Sequence, residues 1–556
     1  MKLTDVADDV LLEICSYLFS TDALNLALAS KQLLPFARPR IVAISSCSHP
    51  TGLVRIHDYL LSGTEPLASH VRYLYLKEPL HVDPHISPSG HADASQASLV
   101  GDILLRAHRL QKLVVDRFQP LFDEDPRIGT ALQAMMGLKK LRLGTLGDKT
   151  LSVLRACTAD IERLTLVYYD DDCPLKEEKK TFDTLLATLA VLRKLVKLKL
   201  FSFTPAVALS PGPGAALRLP SITRLLLEDC SPMALDLVHL CPNLAELEYS
   251  MSYDFSWPHA AHADRLPHRW PELRRLTIGK HWDVPFALRD VGTVDRLGVN
   301  DVMLFAEPEE IEDEIANLRQ LLRLTSPNDL FLWVMVSNAT PLSWREVAEA
   351  APNLHSLRLR WNLVAPVMAH RDWLVSVCGL LALALALMCR RAQDGLPRLL
   401  SPLKISALWL HLSKTMSPAV RPVSELNGDA TDAQKVRVIE ARQMELDRLA
   451  VMPDLPRRLA EAIPSLRYLA IVDDGPNLAT LALPVDGDLS RGDSDTAKEE
   501  GEDLLPAWPM IDVGPRYLQI VADALGSKTL VPVHSNEWER AREEMISQAA
   551  QEHGRT

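Results

Sequence analysis

Apolar and polar positions along most of this chain fall into one recurring phrase: a stretch with helical spacing, a proline, any residue, then L-x-x-L-x-L. Five copies carry the proline: Pro220 with Ile222, Leu225 and Leu227; Pro242 with Leu244, Leu247 and Tyr249; Pro271 with Leu273, Leu276 and Ile278; Pro352 with Leu354, Leu357 and Leu359; Pro464 with Leu466, Leu469 and Ile471. Proline lacks an amide hydrogen and drives its predecessor out of the helical region, so it should end the preceding helix. The last two apolar residues of each phrase lie two apart, the spacing that puts both on one face of an extended strand. Before three of these prolines stand ALDLVHL, WREVAEA and RRLAEA, whose spacing predicts an amphipathic helix packed behind the strand. Copies without the proline follow Val71, Leu110, Leu138, Ile161, Leu195 and Val294, and Phe331 to Met335 and Leu408 to Leu410 predict two further strands. The repeating unit is therefore helix, break, strand.

The first forty residues follow a different rule. Val6, Val10, Ile14, Tyr17 and Leu18, widened by Leu11, recur at helical spacing. Ser20, Thr21 and Asp22 then signal a helix start, leading to Leu24, Leu26 and Leu28. Pro35 is expected to limit that helix and Pro39 to close the segment. Forty residues so rich in Leu, Val and Ile bury too little surface to be comfortable alone, so an apolar face is expected to remain for a partner.

Composition shifts mark insertions. Asp170 to Lys180, His81 to Ser95, Pro205 to Pro213 and Ser250 to Pro267 read as exposed connections. Residues 486–503 hold eight acidic and two basic residues with little apolar content, a composition expected to stay disordered. Asn536 to Glu552 reads as an exposed helix within a tail of residues 536–556. From Trp373 to Cys389 the chain runs 17 residues without a charge, the minimum for a membrane span. It lies between strand phrases and is interrupted by Ser376, Cys378 and Gly379, and so is read as a buried helix, with a membrane-attached form of the chain through this run as the alternative.

The whole chain, 556 residues with a formal net charge of -12, has 47% hydrophobic and 24% charged residues. Such a balance suits a folded body and, without a block of Lys and Arg, argues against nucleic-acid or anionic-membrane partners. Eight scattered cysteines form no C-x-x-C pair and are expected to be reduced, buried thiols of a cytoplasmic or nuclear protein. No phosphate loop, nucleophile elbow or zinc-binding H-E-x-x-H is present, so no enzyme activity and no cofactor are expected. His259, His262, His268 and His281 read as loop residues rather than metal ligands. Asp486, Asp488, Asp493 and Asp495 lack the glycine and final glutamate of a calcium loop. None of Cys47, Cys157 and Cys173 has a setting that would activate a thiol nucleophile.

Intervals such as Pro220 to Pro242 and Pro242 to Pro271 fall near the about 20 to 29 residues of a leucine-rich repeat, and the phrase resembles that family, irregular and with loop insertions. Cys230 and Asn362, three residues after Leu227 and Leu359, fit its turn-pairing position. The segment DDVLLEICSYLFSTDALNLALASKQL resembles an F-box, through Asp9, Val10, Leu11, Leu12, Glu13, Ile14, Leu18, Asp22, Leu24, Leu28, Ser30 and Lys31, with Val6-Ala7 in place of the usual Leu-Pro and Leu33 in place of the usual Trp. The two resemblances imply an α/β chain: an F-box-like helical cluster over 1–45, then a leucine-rich-repeat-like solenoid over 46–535, a curved parallel sheet backed by helices. They imply an SKP-type adaptor, and through it a cullin, docked on Val6, Asp9, Val10, Leu11, Ile14, Leu18, Leu24 and Leu28. An unidentified target protein would be held by the repeats for ubiquitin transfer. The alternative expectation is a protein-interaction scaffold whose first helices are only a cap.

Overall fold

The computed structural model describes residues 6–62, 67–77, 94–168, 178–205, 218–251, 270–279, 291–304, 308–336, 344–363, 397, 400–412, 454–473, 516–522 and 527–553. It divides into two units, Met1–Pro258 and His259–Thr556. The uncharged run Trp373 to Cys389, the acidic stretch 486–503 and His259, His262, His268 and His281 lie outside the described residues. No described helix is long and apolar enough to cross a membrane.

The first unit opens with three helices, α1 (Asp8–Tyr17), α2 (Ser20–Ala29) and α3 (Leu34–Val42). Strand and helix then alternate: β1 (Ile44–Cys47), α4 (Pro50–Leu61), β2 (Tyr73–Leu76), α5 (Ala94–Arg106), β3 (Lys112–Val115), α6 (Phe118–Glu124), α7 (Arg127–Ala134), β4 (Lys140–Gly144), α8 (Asp148–Arg155), β5 (Arg163–Val167), α9 (Glu178–Val191), β6 (Lys197–Phe201), β7 (Arg224–Cys230), α10 (Leu237–Leu240) and β8 (Glu246–Met251). All eight strands pair in parallel with their chain neighbours. The leucines two apart in each phrase, such as Leu113 with Val115, Leu141 with Leu143 and Leu164 with Leu166, are buried. The residues between them sit on the opposite face, which is largely half-exposed.

The repeat is visible in the backbone as well as in the leucines. The carbonyls of Ala43, Arg72, Gln111, Lys139, Glu162, Val196 and Thr223, each just before a strand, accept two successive N–H groups from the next repeat. Thr145, Ser202 and Asp229, each two residues beyond the last strand leucine, all adopt φ of 52°. That conformation is uncommon without glycine and marks one turn copied three times. After Leu227, the Cys230 thiol donates to the carbonyls of Leu200 and Glu228, the turn pairing expected of it.

The second unit comprises β9 (Arg275–Ile278), β10 (Arg296–Leu304), α11 (Pro308–Thr325), β11 (Asp329–Val336), α12 (Trp344–Ala350), β12 (Ser356–Leu363), β13 (Ala407–Leu412), α13 (Leu455–Ala462), β14 (Tyr468–Asp473), β15 (Arg516–Ala522), β16 (Lys528–Pro532) and α14 (Ser535–His553). Strands β9 to β14 pair in parallel, whereas β15 and β16 add antiparallel. Each strand phrase read from the sequence coincides with a strand. The fold class is thus α/β with a mostly parallel sheet, amended by the closing antiparallel pair.

Four expectations need correction. Pro35 does not limit α2 but stands in the first turn of α3, where a missing N–H costs nothing, and Pro39 lies inside α3 rather than closing it. The C-terminal helix is not an exposed tail. Trp538, Arg542 and Ile546 recur at a four-residue interval, all three are buried, and α14 packs on β14 and β15. Ser250 and Met251 belong to β8 rather than to a loop, and Ser95 lies in α5.

Candidate functional site: two surfaces of the first unit

In the N-terminal helices much of the apolar bulk faces water, although Leu11, Leu33 and Val42 are buried. Their core is Cys15, Ala23, Ala27 and Ala37, flanked by the partly buried Leu18, Leu26, Phe36 and Ile41. The larger side chains Val10, Leu12, Ile14, Tyr17, Phe19, Leu24, Leu28 and Leu34 are exposed, and these are eight of the seventeen exposed large apolar residues among the described residues. Small residues inside let the helices approach closely, while much of the bulk that would normally stabilise a core faces water. Val10, Ile14 and Tyr17 follow helical spacing along α1, about 100° round from the buried Leu11 and Cys15; Leu24 and Leu28 do the same on α2, about 100° round from Ala23 and Ala27. Arg40 Nε donates to the Leu18 carbonyl, tying α3 to the α1–α2 turn.

Of the residues expected to meet an adaptor, Val10, Ile14, Leu24 and Leu28 are exposed, as is Asp9 in the first turn of α1, while Val6 and Leu18 are half-buried. Leu11 is buried, 3% exposed, so it supports the face instead of presenting itself. Tyr17, already part of the helical stripe, is exposed too, as are Phe19 and Leu34, which escaped notice because helix-start positions do not continue the leucine spacing. Leu33, at the position of the usual Trp, is buried.

The second surface was not anticipated. On the open face of the sheet, Lys112, Lys140, Arg163, Lys197 and Arg224 are direct register partners across five adjacent parallel strands. Tyr73 precedes this row and Glu246 ends it. With strands about 4.8 Å apart, the five cations span about 19 Å. Lys112, Lys140, Arg163 and Lys197 border an open groove of about 380 Å³, lined also by Tyr75, Arg142 and Lys199. Neighbouring cations are neutralised: Arg142 reaches Asp116 at 3.2 Å, Lys199 reaches Glu228 at 2.6 Å, and Arg224 reaches Glu246 at 3.1 Å. Lys112 lies 4.8 Å over the Tyr75 ring. Lys112, Lys140, Arg163 and Lys197 form no ion pair among the described residues. Partial burial, with Arg224, Lys199 and Arg163 close by, pulls the Lys197 ammonium below its ordinary pKa. A signal for this row existed: in five consecutive copies the residue just before the second strand leucine is Lys or Arg.

Other chemistry is sparse. Among the described residues no group of three or more His, Cys, Asp or Glu is gathered to hold a metal. Cys15, Cys47, Cys157, Cys230 and Cys241 are free and buried, and burial raises all five thiol pKa values. Cys47 stands just before α4, yet its thiol donates to the His49 carbonyl and is not activated. No protein-family model matches this chain, and no curated protein matches it.

Proposed function

We propose that this chain is the target-binding subunit of an SCF-type ubiquitin ligase, with α1 to α3 acting as an F-box and the strand–helix repeats as an irregular leucine-rich-repeat receptor, working in the cytoplasm or nucleus. The observation that carries the reading is the set of large apolar side chains left exposed on the first helices, Val10, Leu12, Ile14, Leu24 and Leu28 among them, on residues that also match the F-box resemblance. Val10, Ile14, Leu24 and Leu28 would meet an SKP-type adaptor, each burying about 1.5 to 3 kcal/mol of apolar surface before association costs. Leu11, Leu18 and Val6 would support that face. The chain itself would do no chemistry; holding a target beside the ubiquitin-loaded enzyme raises its effective concentration.

A second reading, a scaffold whose first helices merely cap the repeats, draws on one specific feature. The Ala43 carbonyl, immediately after α3, starts the ladder by accepting from Arg72 and Tyr73, so the helices also close the first strand. Capturing the full-length chain with a purified SKP-type adaptor separates the two. A stoichiometric complex, lost in an Ile14→Asp/Leu28→Asp variant that still melts normally, is expected. A folded wild-type chain that ignores the adaptor would remove the ligase reading.

A further inference from the structure

Like charges directly opposite one another in a sheet destabilise it. The first unit places five in one row, on a chain whose net charge is -12. Stability alone gives no reason for this: the row immediately beside it shows how the fold neutralises cations when it does so, with Asp116 on Arg142 and Glu228 on Lys199. Lys112, Lys140, Arg163 and Lys197 form no ion pair among the described residues, only Glu248 acting on Lys197 without touching it, and they lie half-exposed or exposed along one groove. A surface that keeps mutual repulsion and is open to solvent gains most when an anion arrives from outside.

We propose that the open face of this sheet binds a short acidic segment of a partner protein, its carboxylates or phosphorylated side chains lying along Lys112, Lys140, Arg163 and Lys197. The dimensions favour a peptide. About 19 Å matches about six extended residues, and the half-exposed Tyr73 and Tyr75 at the near end offer rings to an apolar flank. A longer polyanion such as RNA fits poorly, because the row runs into Glu246, with Glu248 and Glu228 beside it, on an acidic body. The inference deepens the ligase reading by giving the target a chemistry, and as a target site it rests on that reading.

The test uses the full-length chain and its Lys140→Gln/Arg163→Gln variant, titrated into fluorescein-labelled poly-Glu, a phosphoserine peptide of the same length, poly-Lys and single-stranded poly-uridine. Adaptor capture is measured in parallel. The expected result is binding to one or both anionic peptides, weakened about tenfold in the variant and by added salt, with none to poly-Lys. Which peptide binds more tightly tells carboxylate from phosphate as the anion. The variant should melt no lower than the wild type, since it relieves repulsion. Equal peptide binding by the variant, no binding to either anionic peptide, tighter binding to poly-uridine, or a lowered melting temperature would each overturn the proposal. Lost peptide binding with adaptor capture intact in both proteins leaves the proposal and the ligase reading standing. Peptide binding by a chain that never captures adaptor keeps the acidic-segment site and sinks only the ligase reading.

Discussion

Arg542 of α14 donates to Asp329 of β11 at 3.0 Å, across 213 residues of sequence, with side chains only 5% and 0% exposed. Arg358 reaches the same Asp329 oxygen from β12 at 3.1 Å. Arg542 also pairs with Glu539 and Glu543, and Glu543 in turn pairs with Arg296. In the first unit the position before the second strand leucine carries the largely half-exposed cationic row; on β11 of the second unit the same position carries Asp329, buried beneath Arg542.

Breaking this buried pair should loosen the C-terminal helix. Removing one member leaves a charge with too few partners, a loss of about 3 kcal/mol in comparable buried pairs. Arg542→Ala and Asp329→Ala should each lower the urea midpoint, and the double variant should lose less than the two combined. Strictly additive losses would show that the two charges do not interact.

Gly144 should tolerate no side chain. A Cβ there would meet the Asp116 carbonyl oxygen at 2.1 Å, and a backbone atom of the adjacent repeat cannot rotate aside. Gly144→Ala is expected to cost about 1–3 kcal/mol, as overpacking does, read as a fall in melting temperature. Gly137, where a Cβ would come no nearer than 3.5 Å to any atom, serves as the control and should accept alanine with a much smaller change.

Stability should fall at alkaline pH. Burial pushes the thiols of Cys230 and Cys241 up to about 12 from an ordinary 9.0. Between those values the unfolded chain has released protons that the folded chain still holds, so unfolding gains as pH rises. The contribution is fully present below pH 9 and fades toward 12, at up to about 1.4 kcal/mol per pH unit for each thiol. Denaturation at pH 8 and pH 10.5 should show a larger drop for the wild type than for a Cys230→Ala/Cys241→Ala variant, each measured against its own pH 8 value. At pH 8, iodoacetamide should label neither thiol until the chain unfolds.

Most of the sheet was legible because β2 to β14 all carry two apolar residues on one strand face, and in β7, β8, β9, β12 and β14 a proline placed to stop a helix precedes them. The exceptions have physical causes. Strand β1, with the sequence ISSC, carries two serines, and β15 and β16 are largely half-exposed or exposed with little buried face, so neither gives a strong alternating signal. The docked C-terminal helix was misread because Trp538 and Arg542 are diluted among Glu and Arg, and only the partner strand reveals which face is covered. In the N-terminal cluster the spacing located the helices, yet it could not tell which side the small residues would claim. The cationic row needed the copies laid side by side, since each Lys or Arg alone is an ordinary strand-surface residue.

Hydrogen exchange across Asp8 to Val42, measured on the full-length chain with and without an SKP-type adaptor, tests the central claim most directly. The helices should exchange quickly alone, because beyond Leu11, Leu33 and Val42 their buried apolar residues are only Cys15, Ala23, Ala27 and Ala37. They should slow by an order of magnitude or more when the adaptor covers Val10, Ile14, Leu24 and Leu28, as binding to the folded form requires. Exchange unchanged at saturating adaptor, in a chain whose repeats remain protected, would contradict it.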